Sequence, residues 1–185
     1  MKVNEVNLAA AALLGLEKEV GEYIEGEFGA GRGKTERLLI CFNLVESQLA
    51  LDYLPLLTQE VFSVNDGKIA YEQFSKNPSR VISVADGQGN RLAFRLYPTE
   101  IQVNKKQKTA VVDYAFLPQE KKLNEDSDYQ SGVSVGLAAY GVAAEYCAAE
   151  GLYAEAAFWN KKYKESIAKS CALKRGGRMQ SRRWV

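Results

Sequence analysis

Histidine is absent from the 185 residues. A Ser–His–Asp triad, a Cys–His dyad, an HExxH zinc site and any imidazole acid or base are therefore excluded. Cysteine is scarce: Cys41, Cys147 and Cys171 lie far apart and form no CxxC pair. Neither a zinc ribbon nor a redox dithiol is encoded, and an odd count with no disulfide framework suits a reducing cytosol. The apolar run Leu8–Leu16 is too short to span a bilayer, and no signal-peptide core follows Met1. Excess charge of one sign is missing too. Lys plus Arg number 24 against 23 Asp plus Glu, a net charge of +1, so no uniform basic field draws the chain onto nucleic acid.

What remains is ordinary globular composition, 46% hydrophobic and 25% charged, in a chain long enough to bury a core without disulfides or metals. The charge, however, is unevenly placed. Residues 1–28 carry six glutamates against Lys2 and Lys18, net −4. Residues 161–185 carry nine cations against Glu165 alone, net +8, which leaves −7 for residues 1–160. The near-zero total conceals an acidic body and a basic end.

Helical signals open the chain. Asn7 is a candidate cap for an Ala- and Leu-rich helix, with Leu13, Leu16, Val20 and Ile24 at helical spacing. Gly26, Gly29, Gly31 and Gly33 break it, and Thr35 is a candidate cap for a second helix through Leu38, Phe42, Val45 and Leu49 that ends near Leu54-Pro55. The period then shortens. Six short strands are expected across residues 60–117, with Asn65-Asp66-Gly67 as a hairpin turn and Leu92, Phe94 and Leu96 alternating. After the polar stretch 118–130, two Ala-rich helices are expected over 131–149 and 152–173, with Gly151 as the stop between them. The expected fold is α+β. Residues 1–58 and 119–173 give two helix pairs forming one four-helix bundle, 59–118 an inserted small antiparallel sheet or barrel, and 174–185 an extended basic tail.

Few segments carry chemistry. Gly29-Ala-Gly-Arg-Gly-Lys-Thr35 approaches a phosphate loop, but GxxxxGK[ST] wants its first glycine where Phe28 stands, and the preceding residues are Glu-rich and helical rather than a strand. Gly141–Ala156 is similar to one tetratricopeptide hairpin, yet no second copy follows at the period of about 34 residues that stacking needs. No carboxylate pair stands in an apolar setting, and Cys147 and Cys171 sit on or beside helix stripes as small hydrophobes do. No catalytic, cofactor or metal residue is assigned. The segment with a binding character is the end, where Arg175, Arg178, Arg182, Arg183 and Trp184 combine the residue types most enriched at interface hot spots.

The order of elements, with Ala144-Glu-Tyr-Cys-Ala-Ala-Glu-Gly-Leu-Tyr-Ala-Glu-Ala-Ala-Phe-Trp159, Arg182-Arg-Trp-Val185, Asp66-Gly67 and Val111-Val-Asp-Tyr-Ala-Phe-Leu-Pro118, resembles the bacteriophage head–tail connector (adaptor or gateway) proteins of the tail tubular protein A type. The Gly26–Gly33 loop has no counterpart in that pattern. The resemblance implies a helical body with an inserted β portion and a structural role without catalysis or cofactor. It implies a virion protein at the head–tail junction, made in the host cytoplasm. It implies a ring, commonly of twelve subunits, bound to the portal and to a downstream tail or adaptor protein. DNA would pass through that ring without specific binding, and no membrane is involved. Two other functions stay open on the residues: a DNA-binding protein that uses the basic tail, and a nucleotide-binding protein that uses loop 29–35.

Overall fold

The computed structural model describes residues 1–26, 31–104 and 106–174. It divides into two compact units, one made of Met1–Glu46 and Lys121–Val185, the other of Ser47–Glu120.

The first unit is helical. It contains α1 (Val3–Leu13), α2 (Glu17–Ile24), most of α3 (Arg32–Gln48), α4 (Val135–Ala149) and α5 (Tyr153–Lys174). The expected four-helix bundle does not form. The first expected helix is two, because Gly15 adopts a left-handed φ of +71°. The stop is a Schellman motif: Leu16 N–H donates to Ala11 O at 2.8 Å and Gly15 N–H to Ala12 O at 3.3 Å. The same motif ends α4, where Leu152 N–H donates to Cys147 O and Gly151 N–H to Ala148 O.

The second reason lies in α4. Its buried residues, Leu137, Ala138, Ala139, Gly141, Val142, Ala143, Ala144, Tyr146 and Cys147, surround the helix instead of marking one stripe. A helix apolar all round is enclosed by its neighbours, whereas each bundle helix shares one face with a common core. α4 packs on α1 and on α5. At Gly141 it comes so near its neighbours that an added Cβ would lie 2.8 Å from Val45 Cγ1 of α3 and 3.0 Å from Tyr163 Cε2 of α5. Helix α2 is short and buries only Val20.

The linker residues 121–129 are pinned to α3. Asn43 accepts from Lys121 N–H at 2.8 Å and donates from Nδ2 to Lys121 O at 3.2 Å. One turn on, Glu46 Oε1 accepts from the Ser127 hydroxyl and from Asp128 N–H. A Lys121–Asp128 ion pair at 3.0 Å closes the arrangement.

The second unit begins with a π-helical turn, Leu49–Tyr53, and continues into six strands: β1 (Leu56–Ser63), β2 (Lys68–Ala70), β3 (Pro78–Ala85), β4 (Arg95–Leu96), β5 (Glu100–Gln102) and β6 (Thr109–Phe116). They form two antiparallel three-stranded sheets, β1-β6-β3 and β2-β5-β4, in place of one sheet or barrel. Asn65-Asp66-Gly67 does make the expected turn. Asp66 and Gly67 both take positive φ, 52° and 78°, and Asn65 and Lys68 exchange both backbone bonds. The pairing ends at that single bridge, and β1 and β2 part into different sheets. Asp86–Asn90 behaves alike: one bridge, Ala85 to Arg91, and then β3 and β4 separate. Both sheets contribute to one core, built on Phe62, Ile69, Val84, Ile101, Val112 and Tyr114. Aromatic contacts fill it: Phe74 stacks on Phe62 at 4.3 Å and meets Tyr114 edge-on at 4.8 Å.

Candidate functional site

The residues assigned a binding role from sequence, Arg175, Arg178, Arg182, Arg183 and Trp184, lie outside the described residues. Of the glycine-rich segment, Gly31 to Thr35 are described. The preceding element is helix α2, not the strand a phosphate loop requires. A Cβ on Gly31 would fall 1.9 Å from Glu19 O, so glycine here serves a close backbone approach. Thr35 is buried and its hydroxyl donates to Gly31 O at 2.9 Å. Lys34 Nζ lies 2.6 Å from Glu19 Oε2. The segment thus fastens the start of α3 to α2, with the lysine and the threonine both engaged in that joint.

Two of the three thiols are quiet. Burial pushes the Cys41 thiol up to about 11 and also raises that of Cys147, which disfavours the nucleophilic thiolate. Among the described residues no three acidic or thiol groups gather to hold a metal ion. Two carboxylates are perturbed, in opposite senses. Burial raises Glu46, against the bonds it accepts from Ser127 and Asp128, and its Oε2 is buried without a hydrogen-bond partner among the described residues. Glu60 is lowered: partial burial acts upward, but bonds from Ser75 and from the Tyr114 hydroxyl at 2.8 Å outweigh it. Each carboxylate ties separate stretches of chain together: Glu46 holds Ser127 and Asp128 to α3, and Glu60 joins Ser75 to Tyr114.

The distinctive feature of the surface is apolar exposure. On α3, Ile40 and Leu44 are one turn apart and more than half exposed. On the outer face of β1-β6-β3, Leu57 is 63% exposed, Val61 71% and Ile82 46%. Strand alternation dictates that face, since β1 turns Leu56, Thr58, Glu60 and Phe62 inward and leaves Leu57, Gln59 and Val61 outward. At its centre Asp113 accepts from Gln59 at 2.6 Å and from Ser83 at 2.5 Å, so that carboxylate is internally satisfied.

A third apolar feature is a groove on the helical unit, where the two Schellman stops lie side by side. Leu13, Leu14, Cys147, Leu152, Phe158 and Trp159 line a hollow of about 460 Å3, with Glu155 beside them. A second hollow of about 290 Å3, lined by Leu14, Leu16, Tyr146, Glu150 and Leu152, shares Leu14 and Leu152 with the first. Trp159 carries aromatic neighbours on two sides, Tyr140 at 5.9 Å and Phe158 at 4.9 Å. Leu152, Ala156, Trp159, Tyr163 and Ile167 recur at helical spacing from the start of α5, yet their burial differs. Tyr163 and Ile167 are buried, Leu152 is 47% exposed, and Trp159 is half-buried. The signal for the groove was the repeated Leu-Gly-Leu and Glu-Gly-Leu stops at Gly15 and Gly151, each setting a leucine just past a helix end.

The sequence matches no protein-family model and no curated protein.

Proposed function

We propose that the chain is a structural subunit of the bacteriophage head–tail connector type. It assembles into a ring beneath the portal and extends the DNA channel towards the tail, with a downstream tail or adaptor protein as its second partner. The observation that carries this reading is the set of separate apolar surfaces on both units: Ile40–Leu44, Leu57–Val61–Ile82 and the groove at Leu14 and Leu152. A monomer rarely exposes apolar patches of this kind unless they bind something. A ring subunit needs two different surfaces for its heterologous contacts and further ones for the partners above and below. Further support comes from the β unit, inserted in sequence between the two parts of the helical unit. An acidic body favours passage of DNA without capture, because affinity for DNA comes mainly from cations placed on phosphates.

Electron microscopy of the purified chain mixed with portal rings from the same genome tests the proposal. The expected result is added ring density on one end of the portal. Portal rings that stay bare under saturating protein overturn it. A DNA-binding protein is the second reading, favoured by the exposed Lys161, Lys162, Lys164 and Lys169 on α5. It requires retention on duplex DNA at low salt that falls steeply as salt rises.

A further inference from the structure

We infer that the groove between the two Schellman stops receives the C-terminal segment 175–185 of a second copy of this chain, with Trp184 as the apolar anchor and Arg182 and Arg183 on the acidic rim. The groove is apolar along its floor and negative at its edge: Glu155 and Glu150 line it, and Glu17 follows the lining residue Leu16. Among the described residues Glu155 and Glu17 pair with no cation, while Glu150 is held by Arg37. The occupant must therefore join a large apolar side chain to positive charge. Residues 175–185 carry four arginines, one tryptophan and no acid. Arginine forks suit carboxylates, and tryptophan is the residue whose burial contributes most at interfaces. An indole entering beside Phe158 and Trp159 would extend an aromatic cluster already present.

Geometry favours a neighbour's segment over the chain's own. The groove takes in residues 152–159 at the N-terminal end of α5, and the segment leaves from the other end, about 22–33 Å away at 1.5 Å per residue. To bring its own Trp184 back, the ten residues after Lys174 would have to double back and use about two thirds or more of their reach along α5. That path passes the exposed Lys161, Lys162, Lys164 and Lys169, which repel the arginines. A second copy's segment has to pass only Lys162, which sits over Phe158 at the groove, and not the whole row of lysines. Donor and acceptor are different surfaces at opposite ends of one helix, so the contact is heterologous and propagates from copy to copy.

The inference concerns self-association and does not require the connector reading. Sedimentation velocity of the full chain across a concentration series tests it. Reversible association that weakens with salt is expected. Trp184→Ala, and separately Glu155→Arg, should weaken it about tenfold or more, as for hot-spot residues. Combining Glu155→Arg with Arg182→Glu and Arg183→Glu should recover it. Glu155 is exposed, so unchanged circular dichroism is expected as the folding control. A wild-type chain that stays monomeric throughout, or variants that associate as the wild type does, overturn the contact. Monomers that nevertheless bind portal rings overturn this contact alone. Copies that associate through it but ignore the portal overturn the connector reading alone.

Discussion

The helical unit and the β unit bury their cores with opposite materials. Around α4 the contacts are made by alanines, Gly141 and small β-branched residues, so the helices approach closely and little space remains for added atoms. Inside the two sheets the volume is filled by Phe62, Phe74, Tyr71 and Tyr114 in ring-to-ring contact. Close packing is required in both, but the intolerance differs. The helical unit is harmed by gaining atoms and the β unit by losing them.

The largest expected effect breaks the β side. Phe62→Ala removes a 4%-exposed ring stacked on Phe74, and a loss of about 3–5 kcal/mol is expected for such a deletion. Hydrogen exchange should rise across residues 56–116, while α4 keeps its protection. Equal loss of protection in both regions would show that the two cores are not separable. Next in size, Gly141→Ala should cost about 1–3 kcal/mol by overpacking, read as a lower urea midpoint. Adding Val45→Ala sharpens the test, because it removes the two methyl groups that the new Cβ meets at 2.8 and 3.1 Å. The double variant should lose less than the sum of the two single ones.

The smallest expected effects concern pH and have opposite signs in the two units. Glu46 is raised in the folded state above its ordinary value of 4.5. Its contribution is fully present below about pH 4.5 and is lost as pH rises through the folded value. Glu46→Gln should therefore flatten the stability profile of the helical unit above that pH. Glu60 is lowered, so its contribution is present above about pH 4.5 and is lost as pH falls through the folded value. Glu60→Gln should remove an acid-side loss in the β unit, seen in urea midpoints measured from low to neutral pH. Slopes of the same sign for the two variants would end the contrast.

Much of the element order was legible because it depends on local rules. The turn at Asn65-Asp66-Gly67 and the stop at Gly151 follow from glycine and asparagine chemistry, and both appear where the residues place them. The failures have local causes as well. Asn7 is no cap: α1 starts earlier, with Lys2 at the cap and its N–H donating to Glu5 at 3.0 Å, because Val3 and Val6 gain by joining the core. Thr35 likewise lies inside α3, which starts at Arg32. Gly15 alone splits the first helix, a single residue set among eight alanines and leucines that favour a continuous one. Strand partners were not legible at all. Leu56 pairs with Phe116 across sixty residues of sequence, and alternation tells which side a residue faces but not which strand lies beside it. The apolar groove was equally hidden, since its walls come from three separate helices and only the two leucines after Gly15 and Gly151 signalled it.

The clasp between Asn43 and Lys121 has a consequence for how such a chain can change. Two hydrogen bonds fix the point where the polypeptide leaves the helical unit beside the point where it returns. Whatever is spliced between them starts from ends held together, and closing a longer insert costs only about 0.6 kcal/mol more per doubling of its length. The insert is thereby exchangeable: it can be shortened, replaced or lost while the helices keep their own closure, and the parts that meet different partners can diverge at different speeds.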